Sequence, residues 1–252
     1  MVLNWINRFI GKTKTSTSVI NDADLSSNTA VVVDIAANAL GPVASENADT
    51  ATTVWAIDFE TTGLQSAYHR VVSMGGVELA NYVPTGRYIH LVFDPMKKSD
   101  PEAEAVHGWD EWELRNQDRF EDHAAHIRNL LCSSTLLIGH NINFDLGFLH
   151  REIRKAGQEP IEVEHYCTLD AFRSKITLPN YKLATCAAHC GLTQNEHRHS
   201  AIEDAALAAS LYAWLNTGQM PQFKYPEKPT NWRLPPPRPA GNMPRRAPRR
   251  KS

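Results

Sequence analysis

The hydrophobic pattern of the chain starts in earnest at Val54. The run Val54-Trp55-Ala56-Ile57 is apolar, Asp58 and Glu60 then flank Phe59, and Thr61-Thr62-Gly63-Leu64 ends the alternation. Residues two apart on a strand face the same way. Asp58 and Glu60 therefore project together, and Trp55, Ile57 and Phe59 point to the opposite side. Arg70 to Ala80 and Arg87 to Phe93 read as two more strands of an antiparallel meander, with a turn at Pro84-Thr85-Gly86. A loop with Pro95, Asp100 and Pro101 leads to Ala105-Val106-His107-Gly108-Trp109. Phe120, Ala124, Ile127 and Leu131 mark one face of a helix. Thr135 to Ile138 is a short buried strand that ends in Gly139-His140-Asn141, and Phe144 to Ala156 is a helix closed by Gly157. His165 to Leu169 predicts a strand, and Leu183 to Cys190 a helix ended by Gly191. The last helix starts at Ser200, which has Glu203 at capping-box spacing. Ile202, Ala205, Ala206, Ala209, Leu211 and Ala213 continue it. Strands alternating with helices after a meander predict the α/β class, a mixed sheet covered on both faces.

The flanks lack this pattern. Residues 11–53 are rich in Ser, Thr, Asn, Asp and Ala apart from Val31-Val32-Val33, and residues 1–51 are expected to form a flexible leader. Within them, Leu3, Ile6 and Ile10 have helical spacing, which fits a short amphipathic anchor for a membrane surface or a partner. That stretch is too short and too poorly bounded for a signal peptide. Residues 52–218 are expected to form the packed domain, and residues 219–252 a flexible, basic, proline-rich tail. Charge sharpens this division. The formal net charge is −2, yet residues 221–252 carry nine Lys or Arg and one Glu, leaving −10 on the first 220 residues. An extended basic tail on an acidic body fits a tether to nucleic-acid phosphates. With 42% hydrophobic and 21% charged residues, the 252-residue chain can bury a full core. Four cysteines without a secretory leader point to a reducing cytoplasm. No stretch approaches the roughly 18 apolar residues of a membrane span.

Three places gather chemistry. Two like charges at the end of an apolar strand are costly unless a cation lies between them, so Asp58 and Glu60 suggest a hard ion held by oxygens. Their bland alternative is an acidic edge facing water. Asp145, in the first turn of its helix, is stabilised there by the helix dipole, which alone would explain it. His199 precedes the last helix and Asp204 lies on its first full turn, so both can face one cleft. In isolation they could equally be surface groups. Cys186, Cys190, His197 and His199 form a rival zinc set, although the cysteine segment reads as a core helix. Trp109 and Trp112 receive no role from the sequence.

Taken in order, Asp58-x-Glu60-Thr61-Thr62-Gly63, His140-Asn141-x-x-Phe144-Asp145 and His199-x-Ala201-x-x-Asp204 resemble the three motifs of the DEDDh 3′→5′ exonucleases. Within that family the likeness is to the proofreading branch found as subunits of bacterial polymerases. It covers about residues 52–216, and Ala105-Val106-His107-Gly108 and Asn180-Tyr181-Lys182-Leu183 add to it. The resemblance implies a ribonuclease-H-like fold around a mixed five-stranded sheet. It also implies that Asp58, Glu60, Asp145 and Asp204 hold two Mg²⁺ or Mn²⁺ ions about 4 Å apart. Asp58 would serve both ions, Glu60 and Asp204 one, and Asp145 would act through an ordered water. His199 would be the general base, suited to that work near neutral pH.

By the same resemblance, Thr61, Thr62 and Gly63 approach the terminal nucleotide and Leu64 wedges between the last two bases. His140, Asn141 and Phe144 complete the substrate contacts, although Phe144 also reads as core. The implied activity is a 3′→5′ exonuclease releasing nucleoside 5′-monophosphates from single-stranded 3′ ends, DNA favoured. An exoribonuclease and a catalytically silent binding or polymerase-tethering module are the alternatives. A DNA polymerase would be a partner. Gln219-Met220-Pro221-Gln222-Phe223 loosely resembles the peptides that bind a sliding clamp, a second partner.

Overall fold

A computed structural model describes residues 53–193, 199–241 and 243. The expected leader, the helix at Met1–Ile10, His197 and the run Arg245 to Lys251 lie outside them. The sheet has five strands in the order β3-β2-β1-β4-β5. Strand β1 (Thr53–Thr61) is central, antiparallel to β2 (Val71–Ala80) and parallel to β4 (Leu136–Gly139). Strand β3 (Val83–Val92) pairs antiparallel with β2, and β5 (His165–Cys167) pairs parallel with β4. This is the mixed α/β sheet expected.

Seven helices accompany it among the described residues. They are α1 (Pro101–His107), α2 (Glu111–Leu114), α3 (Phe120–Cys132), α4 (Ile142–Lys155), α5 (Thr168–Lys175), α6 (Leu183–His189) and α7 (Ala201–Thr217). The alternation of β1 decides the layering. Trp55, Ile57 and Phe59 pack with Ala124, Ile127 and Leu131 of α3 and Phe148, Leu149 and Ile153 of α4. Val54 and Ala56 face the other way, onto Ile202, Ala206 and Ala209 of α7. Helix α7 is apolar on most sides because it is covered twice. The sheet lies beneath it, and its Leu211 joins a second cluster with Phe172 of α5 and Cys186 of α6.

Several local expectations are corrected. The β2–β3 turn is at Asn81-Tyr82, both with positive φ, and not at Pro84-Thr85-Gly86. Two left-handed residues are what a two-residue hairpin with right-handed strand twist requires. Pro84 is tolerated inside β3 because β3 is an edge strand. The strand at His165 stops at Cys167, and residues 168–175 are helical. Asp100 and Pro101, expected in a loop, open helix α1. Ser200 is the N-cap of α7, but its side chain makes no capping bond, so the capping box expected with Glu203 is not formed.

The segment after α7 is the largest correction. Residues 219–241 were expected to stay clear of the core, yet they run along the domain. Thr230 donates its backbone N–H to the His90 carbonyl at 2.7 Å. The Asn231 side chain pairs with both backbone groups of Val92, at 2.9 and 2.7 Å. Together they take up hydrogen bonds of the open β3 edge. Trp232 packs on Trp109 with ring centroids 5.2 Å apart, and Trp112 donates its indole N–H to the Pro236 carbonyl. Arg233 pairs with Asp118 and Arg238 with Asp110.

Candidate active site

The three motifs meet at the C-terminal ends of the parallel strands β1 and β4, where α/β sheets place their ligands. Ligand oxygens of Asp58, Glu60 and Asp204 all lie within 4.8 Å of one another, the one such group of His, Cys, Asp or Glu among the described residues. Asp58 and Glu60 reach it by strand alternation, and a bulge between Glu60 and Thr61 turns the chain away immediately afterwards. Asp204 arrives from the first turn of α7.

How α7 comes so near is explained by a residue the sequence reading passed over. Gly75 is the cross-strand neighbour of Asp58. A Cβ at Gly75 would overlap the carbonyl of Ala201 and the amide of Ile202. The bare backbone at Gly75 lets the start of α7 rest directly on the sheet, beside Asp58. A Gly pair within a strand is the signal that could have revealed this close approach.

Asp145 comes from the other layer. It lies in the first turn of α4, is buried, and accepts the backbone N–H of Phe59 at 3.1 Å. It stands outside the three-carboxylate group but next to it through β1. Arg70 ties the two sides together. Its guanidinium donates to Glu152 of α4, with one bond of 2.8 Å, and to Glu121 of α3 at 3.0 Å, all but Glu121 being buried. Thr62, fully buried, exchanges hydrogen bonds with the backbone of Arg70. The turn after Glu60 and the helix carrying Asp145 are thereby held to one anchor.

The electrostatics are those of a site built for positive charge. Burial, and then the charges of Asp145, Asp204 and Glu60, push the Asp58 carboxyl well above the usual carboxylate range. Burial does the same to Asp145, opposed by hydrogen bonds from backbone N–H groups. An all-oxygen donor set fits a hard divalent cation. The described members of the rival zinc set, Cys186, Cys190 and His199, form no metal-binding group. Cys186 is buried in the cluster around Phe172, while His199 turns to Asp204. His199 Nδ1 lies 3.0 Å from Asp204 Oδ2, and that hydrogen bond raises the imidazole pKa. The backbone of His199 is fixed by a bond from its N–H to the carbonyl of Val106 in α1.

The other singled-out residues divide into two kinds. Leu64 is 82% exposed, which removes the core reading of that side chain. Asn141 is exposed at the left-handed N-cap of α4, a conformation Asn tolerates. Thr61 donates its hydroxyl to the Gly63 carbonyl, closing the turn. A Cβ at Gly63 would collide with His69 and Asp100. His140 uses both ring nitrogens within the protein, on the Thr168 hydroxyl at 2.9 Å and the Tyr181 carbonyl at 2.8 Å. It joins the end of β4 to the Asn180-Tyr181-Lys182 segment. Phe144 packs on the core with its ring 5.0 Å from that of Phe148.

Comparison with known proteins agrees with this geometry. Residues 55–212 match the family model described as Exonuclease. The DNA polymerase III subunit epsilon of Rickettsia typhi is 32% identical over 179 residues, covering 69% of this chain and 78% of that protein. The subunit of the same name from Buchnera aphidicola (Schizaphis graminum) is 31% identical over 173 residues, covering 65% and 74%. In fold, the chain is similar to E. coli exonuclease I in complex with a 5cy-dT13 oligonucleotide, with a TM-score of 0.59 at 18% identity. That match covers 68% of this chain and 42% of exonuclease I. With more than half its length matched by the family and a third of its aligned residues shared with such relatives, the chain belongs to the exonuclease family and is a 3′→5′ exonuclease.

Proposed function

We propose that the chain hydrolyses the terminal phosphodiester of single-stranded DNA 3′ ends and releases nucleoside 5′-monophosphates. The observation that carries this reading is the convergence of Asp58, Glu60 and Asp204 beside a histidine hydrogen-bonded to one of them. Asp58, Glu60, Asp204 and Asp145 would hold two Mg²⁺ or Mn²⁺ ions. Bound there, the ions lower the pKa of water and neutralise charge that builds on the phosphate and leaving oxygens. The protein's part is to orient and to move one proton. With Nδ1–H directed at Asp204, the neutral His199 ring carries its basic lone pair on Nε2. His199 takes the proton of the attacking water there as the water oxygen bonds to phosphorus and the 3′ oxygen of the penultimate nucleotide departs. Leu64 and the turn at Thr61–Gly63 meet the terminal nucleotide. DNA is favoured over RNA because the relatives are DNA polymerase subunits and the structural neighbour is seen with a DNA oligonucleotide. A polymerase is the partner this reading favours. The sliding-clamp peptide is less suited, because its Phe223 packs against the α7 cluster and its Pro221 carbonyl accepts from Ser210.

The test is purified protein with Mg²⁺ or Mn²⁺ on matched 5′-labelled DNA and RNA, single-stranded and duplex. A ladder shortening from the 3′ end of single-stranded DNA, abolished by EDTA, is expected. Shortening of RNA alone would replace the substrate, and no shortening of any strand would remove the catalytic reading.

A further inference from the structure

The turn that leaves the site carries more exposed apolar surface than its anchoring requires. Hydrogen bonds anchor the backbone of residues 65–69. The N–H groups of Tyr68 and His69 both donate to the Gln65 carbonyl at 2.9 Å, forming a single helical turn. Ser66 sits over Gly147 of α4, two residues after Asp145. His69 Nδ1 lies 3.1 Å from the buried Thr62 hydroxyl, and its Nε2 lies 3.5 Å from Asp100. Lys97 donates to the Tyr68 carbonyl at 2.8 Å and approaches His69 at 3.5 Å. A fixed backbone is thus established, yet the side chains at its two ends stand in solvent, Leu64 at 82% and Tyr68 at 70% exposure. A fixed backbone that holds an aromatic ring out in solvent beside the site is preorganised to meet a ligand.

We propose that Tyr68, with the Lys97 ammonium beside it, is a second nucleotide subsite. It stacks one unpaired base of the substrate strand on the 5′ side of the nucleotide held at Thr61–Leu64. Three observations select this occupant. The turn follows directly on the strand that carries Asp58 and Glu60 and is bonded back to Thr62, so it stands beside the site. Tyr68 offers an exposed ring to a base, and Lys97, bonded to the backbone carbonyl of the same residue, offers a cation to a phosphate, the two means by which proteins hold single strands without regard to base. The carboxylates of the site repel a polyanion, and Lys97 with the neighbouring exposed Lys98 supplies opposite charge on its approach. The inference rests on the nuclease reading and adds to it a residue that acts through strand length and not through chemistry.

The experiment compares the full chain with Tyr68→Ala and Tyr68→Phe on two substrates. One is thymidine 5′-monophosphate p-nitrophenyl ester, which has no second nucleotide. The other is single-stranded oligothymidylate of eight residues. Tyr68→Ala is expected to raise KM about tenfold on the oligonucleotide, the scale of one lost base stack, with kcat/KM on the ester within twofold of the parent. Tyr68→Phe should behave as the parent. Unchanged KM on the oligonucleotide overturns the subsite, and so does an equal loss on both substrates, which would make Tyr68 a support of the fold. A second arm reads binding of a fluorescein-labelled oligothymidylate by anisotropy in Ca²⁺. It decides the subsite even where neither substrate is cut: weaker binding by Tyr68→Ala upholds it, equal binding rejects it. A parent protein that cuts neither substrate would instead count against the nuclease reading.

Discussion

Asp58 is where the acidic cluster is most strained by charge. It is flanked by three other carboxylates and drawn into a partly buried strand end. Because its folded-state pKa lies above the unfolded value, the folded protein holds a proton that the unfolded chain releases. The associated stability is present at acid pH and is lost as pH rises through the folded pKa. Without divalent cations, Asp58→Asn should therefore be more stable than the parent at neutral pH, by on the order of 1 kcal/mol, or a few degrees in melting temperature. Mg²⁺ should raise the melting temperature of the parent more than that of the variant. Activity should fall by on the order of 10³-fold or more, as when a dominant electrostatic contribution is removed. Calorimetry and a nuclease assay on one preparation test both halves. A less stable variant in EDTA, or one with near-parental turnover, would contradict the role of Asp58 as a shared ligand.

At the scale of elements, the site depends on how closely α7 rests on β2. The two glycines of Ser73-Met74-Gly75-Gly76 make a matched test. A Cβ at Gly75 meets the backbone of Ala201 and Ile202, whereas one at Gly76 meets Ile89 and the Trp55 ring at 3.4 Å and the Ala56 carbonyl at 3.5 Å, all ordinary contacts. Gly75→Ala should cost about 1–3 kcal/mol in overpacking and lower kcat about 10- to 100-fold, because Asp204 and His199 move with the helix. Gly76→Ala should leave kcat nearly unchanged. Equal effects of the two on kcat would show that α7 placement does not govern the site. This contact also marks the limit of what the sequence revealed. Period-2 alternation at Trp55 to Phe59 and the caps at Gly157 and Gly191 are local, and strands and helices followed from them. The two positive-φ residues at Asn81-Tyr82 were masked by the stronger turn signal of Pro84 to Gly86. The Arg70–Glu152 anchor joins residues 82 apart in the chain and leaves no local trace. Neither does the seat of His140 against Thr168 and Tyr181.

For the whole molecule, the segment after α7 changes both outline and pH response. His90 of the edge strand is buried and holds the Pro226 carbonyl at 3.1 Å through Nδ1. Burial pushes its pKa down to about 4. The unfolded chain therefore binds a proton that the folded one refuses between about pH 6.5 and pH 4. Stability from this residue is full above that window and declines as pH falls through it, by roughly 3 kcal/mol at most from 1.36 kcal/mol per pKa unit. Denaturant midpoints of the parent and His90→Asn, compared from pH 7 to pH 4, should converge as the pH falls. Parallel curves would place the titration elsewhere. Proline content and charge suggested a tail that stays away from the body. The docking rests on Asn231, Trp232 and Thr230, single side chains whose partners lie more than a hundred residues earlier, and composition does not report such pairs.

The pairing of Asn231 with Val92 has a bearing on how the molecule keeps to itself. An uncovered edge strand offers a row of unmet backbone groups to any other strand, including its own copy. Strand β3 is the edge beside the meander, and the 226–232 stretch occupies its His90 and Val92 positions. Removing everything past the family boundary at Tyr212, or past Gly218 where α7 ends, would return those positions to solvent together with Trp109, Val92 and Leu114. A shortened domain would then be prone to stick edge to edge. The stretch through Arg238 would thus keep copies of the molecule apart by covering the strand along which they could pair.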